Sequence, residues 1–246
     1  MKFRADELLA RLGLAPSRTA AQAIIRAGNA CLPDGERVRK PSQMLDEACG
    51  VGIAPETPTY VSRGALKLLA ALEAFHPVIE SRVALDLGAS TGGFTDVLLR
   101  HGAAKVYAVD VGTDQLHESL RGNPRVISLE RTNARNLDEC LVPDKVQLLT
   151  GDLSFISLTK VLPACVPLLS PDFIAILLIK PQFEAERGEI GSGGVVRNEE
   201  VRARCVAKVE QFACQELGWR HLGTIQSPIL GQKGNIEYLA AFTAKR

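Results

Sequence analysis

The sequence predicts an α/β fold with a doubly wound sheet from Val61 onward, because apolar strand-like runs alternate there with helix-length segments. Five runs are rich in Val, Ile and Leu: VALDLG, KVYAVDVG, RVISLE, VQLLTGD and FIAILLIK. Strands separated by helices pair in parallel, with helices on both faces of the sheet. Two further runs, HLGTIQSPI and IEYLAAFTA, lie too close together for a crossover helix. They predict a terminal antiparallel pair, so the sheet is mostly parallel with its last strand antiparallel.

The front of the chain follows a different pattern. Residues Asp6–Leu14 and Ser17–Ala27 predict two short helices, with Ser17 as the N-cap of the second. A basic, turn-rich segment follows, and Gly50–Tyr60 contains two glycines and two prolines, which is typical of a linker. We therefore expect a small α+β module over residues 1–49, a linker over 50–60 and the α/β domain over 61–246.

Charge and cysteine usage exclude several classes of protein. The chain has 29 Lys and Arg against 28 Asp and Glu, too even a balance for bulk attraction to nucleic acid. Residues 1–42, however, carry eight bases and four acids, so basic charge is concentrated at the front. The six cysteines form no CxxC or His-containing spacing, which argues against a metal site or a disulfide framework. With no apolar run near the ~20 residues of a membrane helix and no apolar signal core, we expect a soluble cytoplasmic protein.

The basic residues of the front module form two groups. Arg18, Gln22 and Arg26 share one stripe of the second predicted helix, opposite an apolar face. The second group, Arg37 to Lys40, follows the Asp34-Gly35 turn. Guanidinium groups can bridge phosphate oxygens bidentately, so both groups suit phosphate contact. Charge spacing alone fits an ordinary solvated helix face equally well.

A small-residue loop between a predicted strand and helix is the candidate cofactor site. Leu85–Leu99 reads LDLGASTGGFTDVLL, and such a loop lets the backbone approach a ligand closely. Asp110 ends the next strand, where a carboxylate can hold the ribose hydroxyls of NAD or of S-adenosylmethionine. No G-x-G-x-x-G can be drawn, which favours S-adenosylmethionine, a ligand without a pyrophosphate; a tight turn in an unrelated α/β protein is the alternative. The candidate cofactor residues are Asp86, Gly88, Ala89, Ser90, Thr91, Gly92, Gly93, Phe94, Asp110, Asn133 and Ala134.

Four ionisable residues form a candidate catalytic group. Asp152 closes one predicted strand, Lys180 closes the next, Glu237 opens the last, and Lys67 lies on the helix before the sheet. Ligands of doubly wound sheets bind beyond the carboxyl ends of the parallel strands, and an antiparallel last strand begins at that edge. Each residue alone fits a solvated strand-end charge. Together with the glycine loop they predict a site, since an unpaired lysine at the end of a buried strand is costly.

The front module resembles a known RNA-binding motif. Its residues RADELLARLGLAPSRTAAQAIIRAG and VRKPSQML are similar to the α-L RNA-binding motif of a ribosomal small-subunit protein and many rRNA-modifying enzymes. One departure is NACLPDGERV, where the motif more often has a valine-rich strand. The resemblance implies RNA contacts by the basic residues, for which the candidates are Arg4, Arg11, Arg18, Arg26, Arg37, Arg39, Lys40 and Arg63.

The whole chain resembles TlyA-type proteins, which are bacterial rRNA ribose 2′-O-methyltransferases of the FtsJ-like class, sometimes named haemolysins. The resemblance is carried by YVSRGALKL, LDLGASTGGFTD, VDVG, GDLSFISL, LIKPQFE, GVVRN and SPI-G-KGN-EY. It implies a Rossmann-like methyltransferase sheet, S-adenosylmethionine as cofactor, ribosomal RNA or ribosomal subunits as partner and cytidine riboses as substrate. It also implies a Lys-Asp-Lys-Glu tetrad on Lys67, Asp152, Lys180 and Glu237. Two departures are Thr113-Asp114 after VDVG and PTYVSRG in the linker.

The implied reaction is the attack of a ribose 2′-hydroxyl on a sulfonium methyl group. An alcohol is a poor nucleophile, so a base must take its proton, and Lys180 is the candidate base. Asp152 and Glu237 would orient the lysines and the hydroxyl, while Glu184 and Glu186 are expected to be loop charges. Three alternatives remain open: an NAD-dependent oxidoreductase, a non-catalytic rRNA-binding protein, and a pore-forming haemolysin, for which no amphipathic membrane-inserting stretch is visible.

Overall fold

A computed structural model describes residues 2–26, 28–53 and 60–245. The chain divides into two compact units, residues 1–59 and residues 60–246. Most of the predicted linker, residues 54–59, lies outside the described residues, as does Ala27 at the end of the second predicted helix.

The front unit combines two helices with two small antiparallel sheets, in which β1 pairs with β3 and β2 with β4. Its core contains Leu8 and Leu9 of the first helix and Ile25 of the second. The bounds are β1 Lys2–Arg4, α1 Ala5–Arg11, α2 Arg18–Arg26, β2 Ala30–Cys31, β3 Met44–Asp46 and β4 Gly52–Ile53.

The ends of these elements follow local chemistry. The hydroxyl of Ser17 accepts a hydrogen bond from the backbone N–H of Ala20 at 3.1 Å, as expected of a residue that caps α2. The first helix ends at Arg11, three residues before the predicted end, because Gly13 takes a left-handed φ of 71°. Gly52–Ile53 pairs with β2, so the first residues of the segment predicted as a linker form a strand of the front unit.

The second unit is built on a seven-stranded sheet with the order β10-β11-β9-β8-β5-β6-β7. The five strands from β5 to β9 pair in parallel, and β11 runs antiparallel between β9 and β10. This confirms the predicted mostly parallel sheet with its last strand antiparallel. The strands are β5 Val83–Leu87, β6 Lys105–Val109, β7 Val126–Leu129, β8 Val146–Gly151, β9 Leu169–Ile179, β10 Trp219–Gln226 and β11 Tyr238–Ala244.

Helices cover both faces of this sheet, as the alternating sequence pattern predicts. Leu85 of β5 belongs to a core on one face, with Val209 of the longest helix, while Ala84 belongs to a core on the other face. Because both faces are buried, the strands are nearly continuous apolar runs. The helices are α3 Ala65–Phe75, α4 Gly93–Arg100, α5 Glu118–Arg121, α6 Leu162–Cys165, α7 Pro181–Glu184 and α8 Glu199–Gln211, the last continued by a π-helical turn over Phe212–Glu216.

The fully buried carboxylate of Asp86 joins neighbouring elements at the centre of the sheet. This residue of β5 accepts hydrogen bonds from the hydroxyls of Thr95 on α4, at 2.7 Å, and Thr150 on β8, at 3.0 Å. Burial raises the pKa of Asp86 to about 6. Strand order reverses beside β5, whose neighbours are β6 and β8, and ligand crevices of doubly wound sheets form at such a switch point.

Asp86→Asn should change how the stability of the protein depends on pH. A carboxyl whose pKa is higher in the folded state contributes most below about pH 4, and that contribution is lost as pH rises through about 6. The free energy of unfolding of Asp86→Asn, measured relative to wild type by urea titration, should therefore rise between these pH values, by up to about 3 kcal/mol. The exposed control Glu80→Gln should show no such rise, and an equally flat Asp86→Asn difference would contradict this account.

Candidate active site

Four ionisable side chains meet at the carboxyl edge of the sheet. The ammonium of Lys67 lies 2.7 Å from the carboxylate of Glu237 and 3.4 Å from one oxygen of Asp152. The other oxygen of Asp152 lies 2.6 Å from the ammonium of Lys180. The structure therefore brings together the four residues proposed as catalytic, in an unbroken chain of ion pairs that runs from Glu237 to Lys180. We refer to these four residues as the quartet.

The quartet is largely shielded from water. The side chains of Glu237, Lys67 and Lys180 are 2%, 9% and 10% exposed, and that of Asp152 is 21% exposed. Two cations face two anions, so the formal charges cancel. Because an unpaired buried charge costs several kcal/mol, removing one member of the quartet would leave its partner uncompensated.

Two glycines allow the segments around the quartet to approach one another closely. Gly88 follows β5 with a φ of 78°, and a Cβ atom there would lie 2.7 Å from the carbonyl oxygen of Asp152. Gly231 lies against Glu237, where a Cβ atom would come within 2.1 Å of the carboxylate oxygen Oε1. Glycine is therefore required at position 88 for its conformation and its lack of a side chain, and at position 231 any side chain would displace the Glu237 carboxylate.

Two adjoining cavities open at this edge. The first, of ≈230 Å³, is lined by the quartet together with the glycine loop after β5. The second, of ≈410 Å³, extends from the same loop past Asp110 to Asn133 and Ala134. Gly88, Ser90, Asp152, Ser154 and Phe155 line both cavities, so together they form one continuous crevice at the strand-order switch point.

The predicted cofactor residues divide into those that line this crevice and those that support it. Nine line it: Gly88, Ala89, Ser90, Thr91, Gly93, Phe94, Asp110, Asn133 and Ala134. Asp86 and Gly92 line neither cavity. The Asp86 carboxylate is instead engaged with two buried hydroxyls, and Gly92 packs against Leu116 and Leu120 with a left-handed φ of 96°.

Asp110 carries the polar chemistry of the second cavity. One of its carboxylate oxygens accepts a hydrogen bond from the backbone N–H of Ser90 at 2.8 Å, and the other from that of Gly112 at 2.7 Å. Each oxygen keeps a further lone pair, so the carboxylate can also accept hydrogen bonds from a ligand. Apolar walls are supplied by Val109, Val111 and Ile156. The described lining contains no lysine or arginine to match a pyrophosphate.

In the front unit, the predicted RNA-binding residues fall into two groups. Arg4 and Arg18 pair with the fully buried Asp6, and the hydrogen bonds from Arg4 hold the pKa of that carboxyl well below its usual range. Arg11 lies over the ring of Phe3 and pairs with a glutamate. The remaining four are exposed cations whose side chains have no hydrogen-bond or ion-pair partner within the described ranges: Arg26, Arg37, Arg39 and Lys40.

Arg63 belongs to the other unit. It is exposed beside the start of α3, and both of its chain neighbours, Ser62 and Gly64, line the first cavity.

The prediction that Glu184 is a loop charge is wrong. Its buried carboxylate accepts hydrogen bonds from the Ser157 hydroxyl at 2.6 Å and the Leu158 backbone N–H at 2.8 Å, and it pairs with Lys208 at 3.2 Å. It thus ties the turn after Lys180 to the turn that follows Asp152. Glu186 is exposed, as expected.

Three further residues at the site were missed by sequence reasoning. The ammonium of Lys180 donates to the hydroxyl of Ser154 at 2.8 Å, and the amide of Gln182 donates to Glu237 at 3.2 Å. Phe155 is 90% exposed at the rim of both cavities, with a left-handed φ of 65°. Ser154 and Gln182 stand two residues, and Phe155 three residues, after a predicted catalytic residue, which was the available signal.

Comparison with known families identifies the family to which this chain belongs. A family model described as FtsJ-like methyltransferase matches residues 60–244, and another described as S4 domain matches residues 3–48. The chain belongs to the FtsJ-like methyltransferase family. Its front segment is an S4 domain, in the stretch where the sequence resembles the α-L RNA-binding motif, and the resemblance to TlyA-type proteins is confirmed by the relatives that follow.

Similar proteins carry two kinds of name. The chain is 48% identical over 238 residues to the 16S/23S rRNA (cytidine-2′-O)-methyltransferase TlyA of Mycobacterium tuberculosis, covering 96% of this chain and 88% of that protein. It is 40% identical over 241 residues to Hemolysin A of Brachyspira hyodysenteriae, covering 98% and 99%. A solved structure described as a hemolysin from Streptococcus thermophilus is 40% identical, with a TM-score of 0.74, over 99% of this chain and 89% of that one.

Within the described ranges, no helix is long and apolar enough to cross a membrane. The same ranges contain no group of three or more His, Cys, Asp or Glu side chains placed to hold a metal ion.

Replacing Glu184 tests its part in the site. Glu184→Ala leaves Ser157, the Leu158 N–H and Lys208 without their shared buried partner, so the free energy of unfolding should fall by about 3 kcal/mol. Glu186→Ala, a matched change two residues away on the surface, should cost less than about 1 kcal/mol. Denaturant titration measures both free energies of unfolding. Equal losses in the two variants would show that Glu184 does not stabilise the contact between the two turns.

Proposed function

We propose that this protein transfers a methyl group from S-adenosylmethionine to the ribose 2′-hydroxyl of a cytidine in ribosomal RNA. The observation that carries the proposal is the ion-paired quartet in one cavity of a crevice whose other cavity is lined by Asp110. Membership of the FtsJ-like family supports methyl transfer, and the name of the Mycobacterium tuberculosis relative supports the cytidine ribose. The S4 domain supports RNA as the partner.

The residues of the crevice fit S-adenosylmethionine. Asp110 would accept from the ribose hydroxyls of the cofactor, the loop from Gly88 to Ser90 would pass close beneath it, and Asn133 with Ala134 would border its adenine. When bound, the cofactor supplies a methyl group on a positively charged sulfur. The carboxylate of Asp152, which lines both cavities, would face that positive charge.

Lys180 is the proposed general base. Its amine takes the proton of the attacking 2′-hydroxyl and must be neutral when it does so. Asp152 holds the amine in place, and Lys67 pairs with the other oxygen of the same carboxylate. Glu237 keeps Lys67 in position, and the hydroxyl of Ser154 gives the Lys180 amine a second fixed partner. The four side chains thereby aim one nitrogen into the first cavity.

The alternatives are less well supported. An NAD-dependent oxidoreductase would need a pyrophosphate cradle, and neither the G-x-G-x-x-G pattern nor a basic residue in the described lining of the second cavity provides one. A non-catalytic RNA-binding protein would have no use for a buried quartet of charges. The hemolysin names among the relatives leave both the crevice and the quartet unexplained.

We propose that the two units have different roles, RNA binding and catalysis. A module over residues 1–49 and a linker over 50–60 would bring RNA to a catalytic domain over 61–246. Because ribosomes are its substrate in this proposal, the protein would act in the cytoplasm. Contact with phosphates would fall to the basic residues of the front unit and to Arg63.

Labelled S-adenosylmethionine and separated ribosomal subunits test the function directly. Wild-type protein should leave the label on RNA, and digestion to nucleosides should recover it as 2′-O-methylcytidine. Label on a base, or no label on either subunit, would contradict the proposal.

Lys180→Ala tests the base. Without an acceptor for the hydroxyl proton, single-turnover methyl transfer should fall at least ~10²-fold, the low end of what a positioned base contributes. Calorimetry should show cofactor binding nearly unchanged, because Lys180 does not line the second cavity. Lys245→Ala, at the far end of β11, is the matched control and should transfer methyl groups normally. Transfer at the wild-type rate by Lys180→Ala would refute the assignment.

Salt dependence tests the front unit. If Arg37 and Arg39 contact phosphates, Arg37→Gln/Arg39→Gln should bind rRNA more weakly and reduce the slope of log affinity against log salt by about 0.9 per lost contact. Filter binding at several salt concentrations measures this. The opposing result is a variant that matches wild type in both affinity and slope.

A further inference from the structure

A third cavity, of ≈320 Å³, lies outside the crevice and is lined by three cations. It is formed by Arg197 of the GVVRN segment, Arg202 of α8, Lys233 of the KGN segment and the backbone around them. Among the described residues that line it, none is acidic. The proposed reaction gives neither segment a role.

The positive charge of this cavity is uncompensated. Arg197 and Lys233 are exposed, and within the described part of the chain their side chains have no hydrogen-bond or ion-pair partner. By contrast, the other two cations of α8 are matched by acids, Arg204 by Glu189 and Lys208 by Glu184. Three cations gathered without an acid repel one another, so the arrangement favours a bound anion.

Arg202 is the fixed member of the group. Its Nη1 donates to the carbonyl oxygens of Val196 at 3.3 Å and Arg197 at 2.6 Å, which holds the guanidinium in place. Its Nε is buried and has no acceptor among the described residues. Because that Nε is buried, the charge of Arg202 reaches the cavity through the rest of its guanidinium group.

The cavity is coupled to the catalytic quartet through one loop. Asn235, two residues before Glu237, donates from its side chain to the carbonyl of Gly194 at 2.9 Å and accepts from the N–H of Val196 at 3.0 Å. The same loop carries Lys233, and its Gly231 lies against the Glu237 carboxylate. The walls of the cationic cavity are therefore joined to the segment that carries Glu237 of the quartet.

We infer that Arg197, Arg202 and Lys233 bind a phosphodiester group of the substrate RNA beside the nucleotide to be methylated. The inference rests on the proposed function, since a ribose within an RNA chain is flanked by phosphates on both sides. An anion must therefore lie close to any 2′-hydroxyl that reaches Lys180. Arginine matches phosphate oxygens bidentately, and Lys233 adds a mobile point charge. Free phosphate offers the same oxygens, and the experiment separates the two sources.

The test is the double variant Arg197→Gln/Lys233→Asn. Both side chains are exposed, and asparagine tolerates the left-handed φ of 62° at position 233, so the fold should be kept. Arg220→Gln is the control. Arg220 is exposed near the start of β10, at the end of the strands opposite to the carboxyl edge that carries the quartet. Filter binding to rRNA over a salt series, KM and kcat for methyl transfer, and calorimetry with S-adenosylmethionine are measured for each protein.

The double variant should bind rRNA on the order of tenfold more weakly and show a salt slope smaller by about 1. Its KM for RNA should rise while kcat at saturating RNA and cofactor affinity stay within about twofold of wild type. Arg220→Gln should match wild type throughout. RNA affinity and salt slope equal to wild type in the double variant would overturn the inference.

Three further outcomes separate this inference from the function on which it rests. A stabilisation by inorganic phosphate that the double variant loses, with rRNA affinity unchanged, would assign the cavity to free phosphate and overturn the RNA site. Wild-type protein that transfers no methyl group to rRNA would overturn both the proposed function and this inference. Normal methyl transfer by a double variant with unaltered RNA binding would overturn the phosphate site alone.

Discussion

The ion pair between Lys67 and Glu237 is the interaction on which the site depends. These residues stand 170 positions apart, one on the helix before the sheet and one at the start of its last strand, yet their charged atoms lie 2.7 Å apart and both are buried. Breaking a buried pair of this kind is costly, because it leaves an uncompensated charge. Lys67 in turn engages Asp152, and Asp152 engages Lys180, so the position of the proposed base is set by a pair that does not contact it.

The sheet topology makes this pairing possible. β11 enters antiparallel between β9 and β10, which brings the start of the last strand to the edge where the parallel strands end. Glycines at positions 88 and 231 then allow backbone and carboxylate to approach without a side chain between them. Glu184 closes the arrangement by tying the turn after Lys180 to the turn after Asp152. The geometry of the crevice is thus a property of the sheet edge as a whole.

The sheet and the meeting of the quartet at one of its edges could be predicted from the sequence, because the ends of the apolar strands can be recognised there. Apolar runs that stop at Asp152 and Lys180, and one that starts after Glu237, place three charges at one edge once the direction of each strand is known. Glu184 could not be placed, since a carboxylate in a polar turn looks the same whether it faces water or a buried hydroxyl. Asp86 lies on β5, the strand that leads into the glycine loop of the crevice. Side chains alternate along a strand, however, and the side chain of Asp86 is buried in the core between Thr95 and Thr150. The cationic cavity depends on Asn235 joining two distant segments, which no spacing reveals.

The central claim is that the quartet acts as one unit, and a double-mutant cycle on Lys67 and Glu237 tests it most directly. Single-turnover methyl transfer to rRNA would be measured for Lys67→Met, Glu237→Gln and the double variant, each saturated with S-adenosylmethionine. Residues that act as a unit give strongly non-additive losses. The account predicts that the double variant is no slower than the slower single variant. Losses that multiply would show that the two side chains act independently and would contradict it.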